Sequence, residues 1–165
     1  MRSLEYPYGR GPIETQWGPT LDYEKLHVER AVLAAGGTVL RLGKVYGRGD
    51  ATLERAVRSL RSGLAVSIER PDWRWTHVYV EDVAQAVVLA AESSAPGPVY
   101  NVGESHPPTQ FERMKMLARV LGMASAQIRA VVGPSVPDLM LDSARIRHEL
   151  GFIETPLADA LSRAV

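Results

Sequence analysis

The sequence predicts an α/β protein built on parallel strands, and three observations lead to that prediction. Short apolar runs recur at 38–42, 64–68, 76–80, 98–102 and 128–132. Segments of helical periodicity lie between most of these runs, and glycine or proline stands at many of the junctions. Strands that alternate with helices are typical of parallel sheets joined by crossover helices.

Length and composition are those of one globular domain. The chain has 165 residues, of which 45% are hydrophobic and 23% charged. Its 19 basic and 19 acidic residues cancel, which argues against a nucleic-acid partner and gives no reason to expect a membrane partner. The absence of cysteine excludes disulfides, thiolate nucleophiles and cysteine-ligated zinc. Because no apolar leader begins the chain, we expect a cytoplasmic protein.

The first half of the chain predicts a loop, a helix, a strand and a second helix. Residues 1–21 are rich in proline and glycine and predict an irregular loop. Helical periodicity begins near Asp22, and the Gly36-Gly37 pair ends that helix as a C-terminal cap. Strand 38–42 follows, and the pattern of 50–61 predicts a helix with an apolar inner face and an arginine-rich outer face.

Capping residues mark the helices of the second half. Asp82 is predicted to cap a helix over 83–92. Thr109 begins the next helix, and Glu112 three residues later completes a capping box. Two short helices are predicted near the end, over 142–150, closed by Gly151, and over 156–164.

These elements predict a single α/β unit over residues 22–165. Only two or three of its strands suit a central parallel sheet, which is too few for an independent doubly wound domain. The strands that would carry a glycine-rich nucleotide loop are therefore expected to belong to sequence outside this chain.

The stretch 39–50, VLRLGKVYGRGD, carries the strongest functional signal. A buried strand runs into a glycine-punctuated turn, and a helical pattern follows. Ligands of open α/β sheets bind beyond the carboxyl ends of strands, so this turn is expected to border a cleft.

Five sequence fragments, in order and at regular spacing, resemble one known family. They are Lys25 with Glu29; Leu40, Arg41, Tyr46, Gly47 and Gly49; Val80, Asp82, Val83, Ala84 and Ala86; Tyr100, Asn101, Val102 and Gly103; and Asp142, Leu150, Gly151 and Phe152. Together they resemble the second half of the NAD-dependent epimerase/dehydratase family, the extended short-chain dehydrogenases/reductases. The resemblance implies the C-terminal part of a Rossmann-like NAD(P)-binding fold, namely its last sheet strands and a small substrate-binding subdomain.

The family resemblance assigns a cofactor role to Lys25. The family carries a Tyr-x-x-x-Lys pair whose members share one helix face; the lysine lowers the tyrosine pKa and binds the nicotinamide ribose. Here the tyrosine position is Leu21, which can transfer no proton. Tyr23 is two residues from Lys25, roughly 200° around a helix, and would substitute only if the helix began later.

The resemblance also implies a cofactor and substrate cleft. Gly43, Lys44, Val45 and Tyr46 lie where the family lines the nicotinamide, and Lys44 takes the place of an asparagine that contacts substrate in many members. The substrate side is completed by Lys44 and Tyr46 together with Arg74 and Tyr79. For Lys44 the alternative is a lysine in a surface turn.

Other positions depart from the family or have simpler explanations. Trp75 stands where sugar-nucleotide epimerases commonly place a diphosphate-binding arginine, with Arg74 one position away. Aromatic packing beneath a loop, with arginine stacked on tryptophan, would also explain that segment. Arg41 lies inside a strand, where we expect a structural ion pair. The four histidines show no metal-ligand spacing, so no metal site is expected.

The resemblance implies an NAD- or NADP-dependent oxidoreductase acting on a sugar-like or other secondary-alcohol substrate. This chain alone is expected to be inactive, because the backbone amides that cradle a pyrophosphate are not encoded in it. A homodimer, or association with an N-terminal half, would complete it. The alternative is a non-catalytic NAD(P)-sensing or interaction protein on the same fold.

Overall fold

A computed structural model describes residues 19–93, 98–131, 133 and 137–165, with side chains from residue 25. Helices and strands alternate along these residues. The helices are α1 (Pro19–Ala34), α2 (Ala51–Arg61), α3 (Val80–Glu92), α4 (Gln110–Val120), α5 (Ala144–Leu150) and α6 (Leu157–Ala164). The strands are β1 (Val39–Leu42), β2 (Lys44–Tyr46), β3 (Val66–Glu69), β4 (His77–Tyr79), β5 (Val99–Val102) and β6 (Ile128–Val131).

The strands of the described residues form three parallel pairs, β1 with β5, β2 with β4, and β3 with β6. Each pair joins strands that are distant in sequence, as crossover connections require. The prediction of a parallel α/β fold is confirmed.

Helices cover both faces of the β1–β5 pair. Leu40 and Leu42 pack with Val83, Ala86 and Leu89 of α3. Side chains alternate along a strand, so Arg41 lies on the opposite face, where it binds Glu29 of α1. This three-layer order is that of a doubly wound sheet.

Two glycines allow the β1–β5 and β2–β4 pairs to meet. A Cβ at Gly43 would lie 2.7 Å from the Thr76 carbonyl oxygen, and one at Gly103 would lie 2.4 Å from Thr76 Cγ2. The backbones are joined here by hydrogen bonds from Gly43 N to Val102 O and from Lys44 N to Thr76 O, both 2.9 Å. Any larger residue at either glycine would force these strands apart.

Two hydrophobic clusters stabilise the unit. One lies between α3, α5 and the β1–β5 pair, and its buried members are Val78, Ala86, Tyr100, Val102, Ile146 and Phe152. The other joins α2, α4 and α6 to one face of the β2–β4 pair, with buried members Tyr46, Val57, Leu60, Tyr79, Leu117, Ala118, Ala160, Leu161 and Ala164. The β2–β4 pair thus lies between both clusters.

The structure corrects two predicted boundaries. Helix α1 begins at Pro19, before the expected start near Asp22, because proline fits the first turn of a helix. Residues 1–18 of the predicted N-terminal loop lie outside the described residues. Helix α3 begins at Val80, directly after β4, so Asp82 is its third residue and the prediction of an Asp82 cap is wrong.

The Asp82 carboxylate makes a long-range contact instead. It is buried and accepts hydrogen bonds from Thr155 N at 2.9 Å and Thr155 Oγ1 at 2.6 Å. It therefore ties the first turn of α3 to the segment before α6. The predicted capping box of Thr109 and Glu112 is confirmed. None of the helices in the described residues is both long and apolar enough to cross a membrane.

Candidate functional site

One face of the β2–β4 pair carries four aromatic or polar side chains. Lys44 pairs with His77 and Tyr46 with Tyr79 in the parallel register. Because side chains two apart along a strand share a face, all four lie on the same side. The rings are in contact, with centroids 6.1 Å apart for Tyr46 and His77 and 5.8 Å apart for Tyr46 and Tyr79.

His77 is held in one orientation and one tautomer. Its Nδ1 lies 2.7 Å from the Trp75 carbonyl oxygen, which can only accept, so Nδ1 carries the proton and Nε2 keeps its lone pair. Burial, and after it the nearby Arg113 guanidinium, lowers the pKa of His77 from 6.5 to about 3. The ring is therefore neutral at physiological pH.

A partly buried ion pair stands beside these rings. Arg113 of α4 donates from Nη1 and Nη2 to the two Glu104 carboxylate oxygens at 2.9 and 2.6 Å. The same guanidinium lies 6.0 Å from the centroid of the Tyr46 ring. Burial, with the Glu104 charge second, raises the pKa of the Tyr46 phenol far above its usual value. Tyr46 therefore keeps its proton and cannot act as a base near neutral pH.

Lys44 is paired with a helix-capping carboxylate. Its Nζ lies 3.3 Å from Asp50 Oδ2, while Asp50 Oδ1 accepts from Thr52 N at the start of α2. Burial opposes ionisation of Asp50, but the bond from the Thr52 amide and the Lys44 charge outweigh it, so the Asp50 pKa is lowered. Lys44 thus belongs to a partly buried ion pair at the N-terminus of α2.

The structure separates the remaining predicted cleft residues. Gly43 is buried against Thr76, and Val45 packs into the cluster shared by α3 and β5. Tyr79 lies deep in the other cluster, where burial raises its pKa. The side chains of Val45 and Tyr79 therefore pack in the core, and at Gly43 and Val45 only the backbone is left to face a ligand.

Arg74 is bound away from the four-residue face. It donates from Nη1 to the Pro107 carbonyl oxygen at 2.6 Å and lies 3.8 Å from the Glu112 carboxylate. The Trp75 ring instead approaches the site, with its centroid 5.3 Å from that of His77. As the packing interpretation expected, the Trp73 ring packs against Trp75 in a tilted arrangement and lies beneath the Arg70 guanidinium.

Lys25 is exposed on α1, one turn before Glu29. Position 21 lies in the same helix, so the four-residue spacing of the family pair is kept, with leucine in place of tyrosine. Position 23 is two residues from Lys25 in a helix that begins at Pro19, earlier than the start that would favour Tyr23 as a substitute.

Sequence reasoning missed His77, Glu104 and Arg113. The alternation of His77 with Tyr79 in a strand was the one usable signal, because it places them on one face. Glu104 and Arg113 meet only through the packing of α4. No cluster of three possible metal ligands occurs in the part of the chain that the structure describes. A separate open cleft of about 510 Å³ lies near Ser105, Ser143 and Arg147.

Comparison with known proteins defines the class. The profile of the NAD dependent epimerase/dehydratase family matches residues 6–103, and the chain belongs to that family. No curated protein matches the chain in sequence.

Solved structures of Rossmann-like extended short-chain dehydrogenases/reductases share the fold. RMD from Pseudomonas aeruginosa, solved with NADPH, has a TM-score of 0.76 at 20% identity, over 96% of this chain and 62% of that one. WbmH from Bordetella bronchiseptica, solved with NAD⁺, gives 0.71 at 22% identity, over 94% and 52%. UDP-glucose 4-epimerase from Thermotoga maritima, solved with UDP-glucose, gives 0.69 at 22% identity, over 87% and 50%. The chain thus spans about half to three fifths of these relatives.

Proposed function

We propose that this chain supplies the nicotinamide and substrate side of an NAD(P)-dependent oxidoreductase of the epimerase/dehydratase type. The substrate is a sugar-like or other secondary alcohol, from which a bound NAD or NADP would accept hydride. The observation that carries the proposal is the position of Lys25 relative to the carboxyl end of β1.

The Glu29–Arg41 pair sets that position. Helix α1 turns into β1 through the short segment 35–38, so the helix and strand run in opposite directions. Lys25 is four residues before Glu29, about 6 Å along the helix axis at 1.5 Å per residue. Because Glu29 is fixed on Arg41, Lys25 lies toward the carboxyl end of β1, where 43–46 begin. Ligands of open α/β sheets bind at this end of the strands, which supports Lys25 as the contact to a nicotinamide ribose.

The residues around the carboxyl ends of β1 and β2 fit the nicotinamide end of a dinucleotide and not its pyrophosphate. Gly47 and Gly49 form a Gly-x-Gly turn between β2 and α2, the kind of place where phosphates bind. However, the Asp50 carboxylate caps α2 by accepting a hydrogen bond from the Thr52 amide, so this amide is not available to a phosphate. The negative charge of Asp50 would also repel a phosphate. We therefore expect the pyrophosphate to be held by residues outside this chain.

A second candidate function follows from the missing proton-transfer group. Leu21 cannot carry a proton, and Tyr46 keeps its own because burial raises its pKa. His77, with a pKa lowered to about 3, is a weak base. These observations favour a chain that is inactive alone, or a non-catalytic NAD(P)-sensing protein on the same fold.

The pairing of β1 with a single strand in the described residues supports association with another polypeptide. Within the described residues β1 has β5 as its one neighbour, and two-stranded parallel sheets are not stable by themselves. Helix α3, which covers β1, also exposes Val80, Val87 and Val88 to 46–53%. We propose that an N-terminal dinucleotide-binding half covers this side, with a second copy of the chain as the other possibility.

The test is an NMR titration of the whole chain with nicotinamide mononucleotide and, separately, with AMP. We expect nicotinamide mononucleotide to shift the amides of Lys25 and 43–46 and AMP to leave them unchanged. Lys25→Ala should weaken binding about fivefold, the loss of one hydrogen bond. Lys115→Ala, an exposed lysine on α4, is the control. Shifts confined to other regions would overturn the assignment.

A further inference from the structure

Residues 153–155 connect the two hydrophobic clusters, and we call this segment the strap. Phe152, directly before it, is buried in the cluster with α3 and α5. Ala160 of α6, which follows the strap, is buried in the cluster with α2 and α4. The strap itself is neither helix nor strand. Its side-chain contacts therefore decide how firmly the chain is held where it passes from one cluster to the other.

Side chains of α3 hold the two ends of the strap. The Ile153 amide donates to Gln85 Oε1 at 3.0 Å, and the Thr155 amide donates to Asp82 Oδ2 at 2.9 Å. The Thr155 hydroxyl donates to the other Asp82 oxygen at 2.6 Å. Asp82 and Gln85 are three residues apart, so they are neighbours on one face of the helix. The strap is thus bound along the first two turns of α3.

The middle residue of the strap binds two further elements. The Glu154 carboxylate accepts from the Ser105 hydroxyl and from the Ser105 amide, both at 2.6 Å. It also accepts from Arg147 Nη2 of α5 at 3.2 Å. Three consecutive residues therefore bind α3, α5 and the loop after β5, which all lie on the side of the first cluster.

The contact of Asp82 with Thr155 couples the strap to burial of a charge. Asp82 is 5% exposed, and both of its hydrogen bonds within the described residues come from neutral groups of Thr155. A carboxylate that loses such donors must be reached by water, because an unsatisfied buried charge is costly. Partial release of the strap is therefore disfavoured, and release of the whole segment is the alternative to the closed form.

We propose that the strap opens as one cooperative unit, and that its opening lets the cluster of α2, α4 and α6 move relative to α3 and the β2–β4 pair. Arg113 of α4 lies 6.0 Å from the centroid of the Tyr46 ring. Movement of α4 therefore changes the space above the face that carries Lys44 and His77. The inference goes beyond the proposed function and does not depend on it, because it concerns the chain without a ligand.

The first test is amide hydrogen exchange of the whole chain, followed by NMR under native conditions. Thr155→Val removes one hydrogen bond to Asp82, and Glu154→Gln weakens the bonds to Ser105 and Arg147. We expect either variant to accelerate exchange of the amides of residues 105, 153 and 155 together, about tenfold for a bond to a charged acceptor. Amides of β5 should be unaffected. The proposal is overturned if each variant accelerates only the amides in its own contacts, or if all amides accelerate alike.

The second test measures the movement between α3 and α4. The sequence contains no cysteine, so nitroxide labels at Glu92→Cys and Arg119→Cys have no competing sites. We expect Thr155→Val to broaden the distance distribution between the labels, measured by double electron–electron resonance. If that variant does not fold cooperatively, Glu154→Gln gives the same comparison.

Glu81→Gln is the matched control. It weakens an exposed ion pair, in which Glu81 lies 3.4 Å from Arg163, that also joins α3 to α6. Exposed pairs contribute little to stability, so we expect both the exchange rates and the label distances to stay unchanged. A distribution as narrow in Thr155→Val as in this control would overturn the proposed movement.

Discussion

The Glu29 carboxylate binds the Arg41 guanidinium through two hydrogen bonds, of 2.9 Å from Nε and 2.6 Å from Nη2. The pair joins helix α1 to strand β1, and both side chains are about four fifths buried. A bidentate pair has one geometry, so it fixes where α1 lies along the strand. The position of Lys25 relative to the cleft depends on this contact.

Glu29→Gln should therefore destabilise the fold and loosen α1. The amide keeps the shape of the carboxylate but loses its charge, so the largely buried Arg41 guanidinium loses its charged partner. We expect a loss of about 1–2 kcal/mol in the free energy of unfolding, measured by urea denaturation. Glu54→Gln is the matched control, because Glu54 pairs with Arg58 at 3.6 Å on an exposed surface. A loss no greater than in that control would contradict the role of the pair.

Glu104→Gln should lower the free energy of unfolding by more than Glu29→Gln does, because it leaves the Arg113 charge uncompensated beside Tyr46. Both side chains of the pair are less than 15% exposed. We expect about 3 kcal/mol of destabilisation in urea denaturation. Combining it with Arg113→Met removes the stranded charge and should recover part of the loss. A double variant less stable than Glu104→Gln would show that the arginine stabilises the fold by other contacts.

Gly103→Ala should separate the strands at Thr76. The added methyl would lie 2.4 Å from Thr76 Cγ2 and 3.1 Å from the His77 carbonyl oxygen. We expect a loss of about 2–3 kcal/mol from overpacking, measured by thermal and urea unfolding. Thr76→Ser removes that methyl and keeps the hydroxyl that accepts from Leu141 N at 2.9 Å. The double variant should regain stability, and its failure to do so would place the strain elsewhere.

Stability should fall with acidification below pH 6.5. The His77 pKa is lowered from 6.5 to about 3 in the folded chain, so between these values the unfolded chain binds the additional proton. The stability that comes from keeping His77 neutral is fully present above pH 6.5 and is lost as the pH falls toward 3.

His77→Phe should flatten the slope between pH 7 and 5, measured from urea midpoints. The charged groups near the ring are Lys44, Asp50, Glu104 and Arg113. They remain in the variant, so their effect on the slope is retained. An unchanged slope would show that His77 is not the group responsible, and His148→Phe serves as the matched control.

Local sequence signals predicted most of the elements. Apolar runs marked five of the six strands in the described residues, and the Thr109 capping box marked α4. Strand β2 was missed because it lies within the stretch interpreted as a glycine-punctuated turn. The expected ion pair of Arg41 was also found. Asp82 was misread because α3 follows β4 directly, so its N-cap position is Tyr79 and Asp82 lies inside the first turn. The Thr155 partner of Asp82 is 73 residues away. The Glu104–Arg113 pair depends in the same way on tertiary packing, which carries no local signature.

The most direct test compares the affinities of the whole chain for nicotinamide mononucleotide and for NAD⁺ and NADP⁺, titrated in parallel after cooperative unfolding has been verified. We expect the dinucleotides to bind no more than about threefold tighter than nicotinamide mononucleotide, with Kd above about 100 μM, or −5.5 kcal/mol. The adenosine diphosphate half would find no site in these residues. Dinucleotide binding tighter by tenfold or more would show that this chain holds the pyrophosphate, and absence of binding by all three would contradict a nicotinamide site.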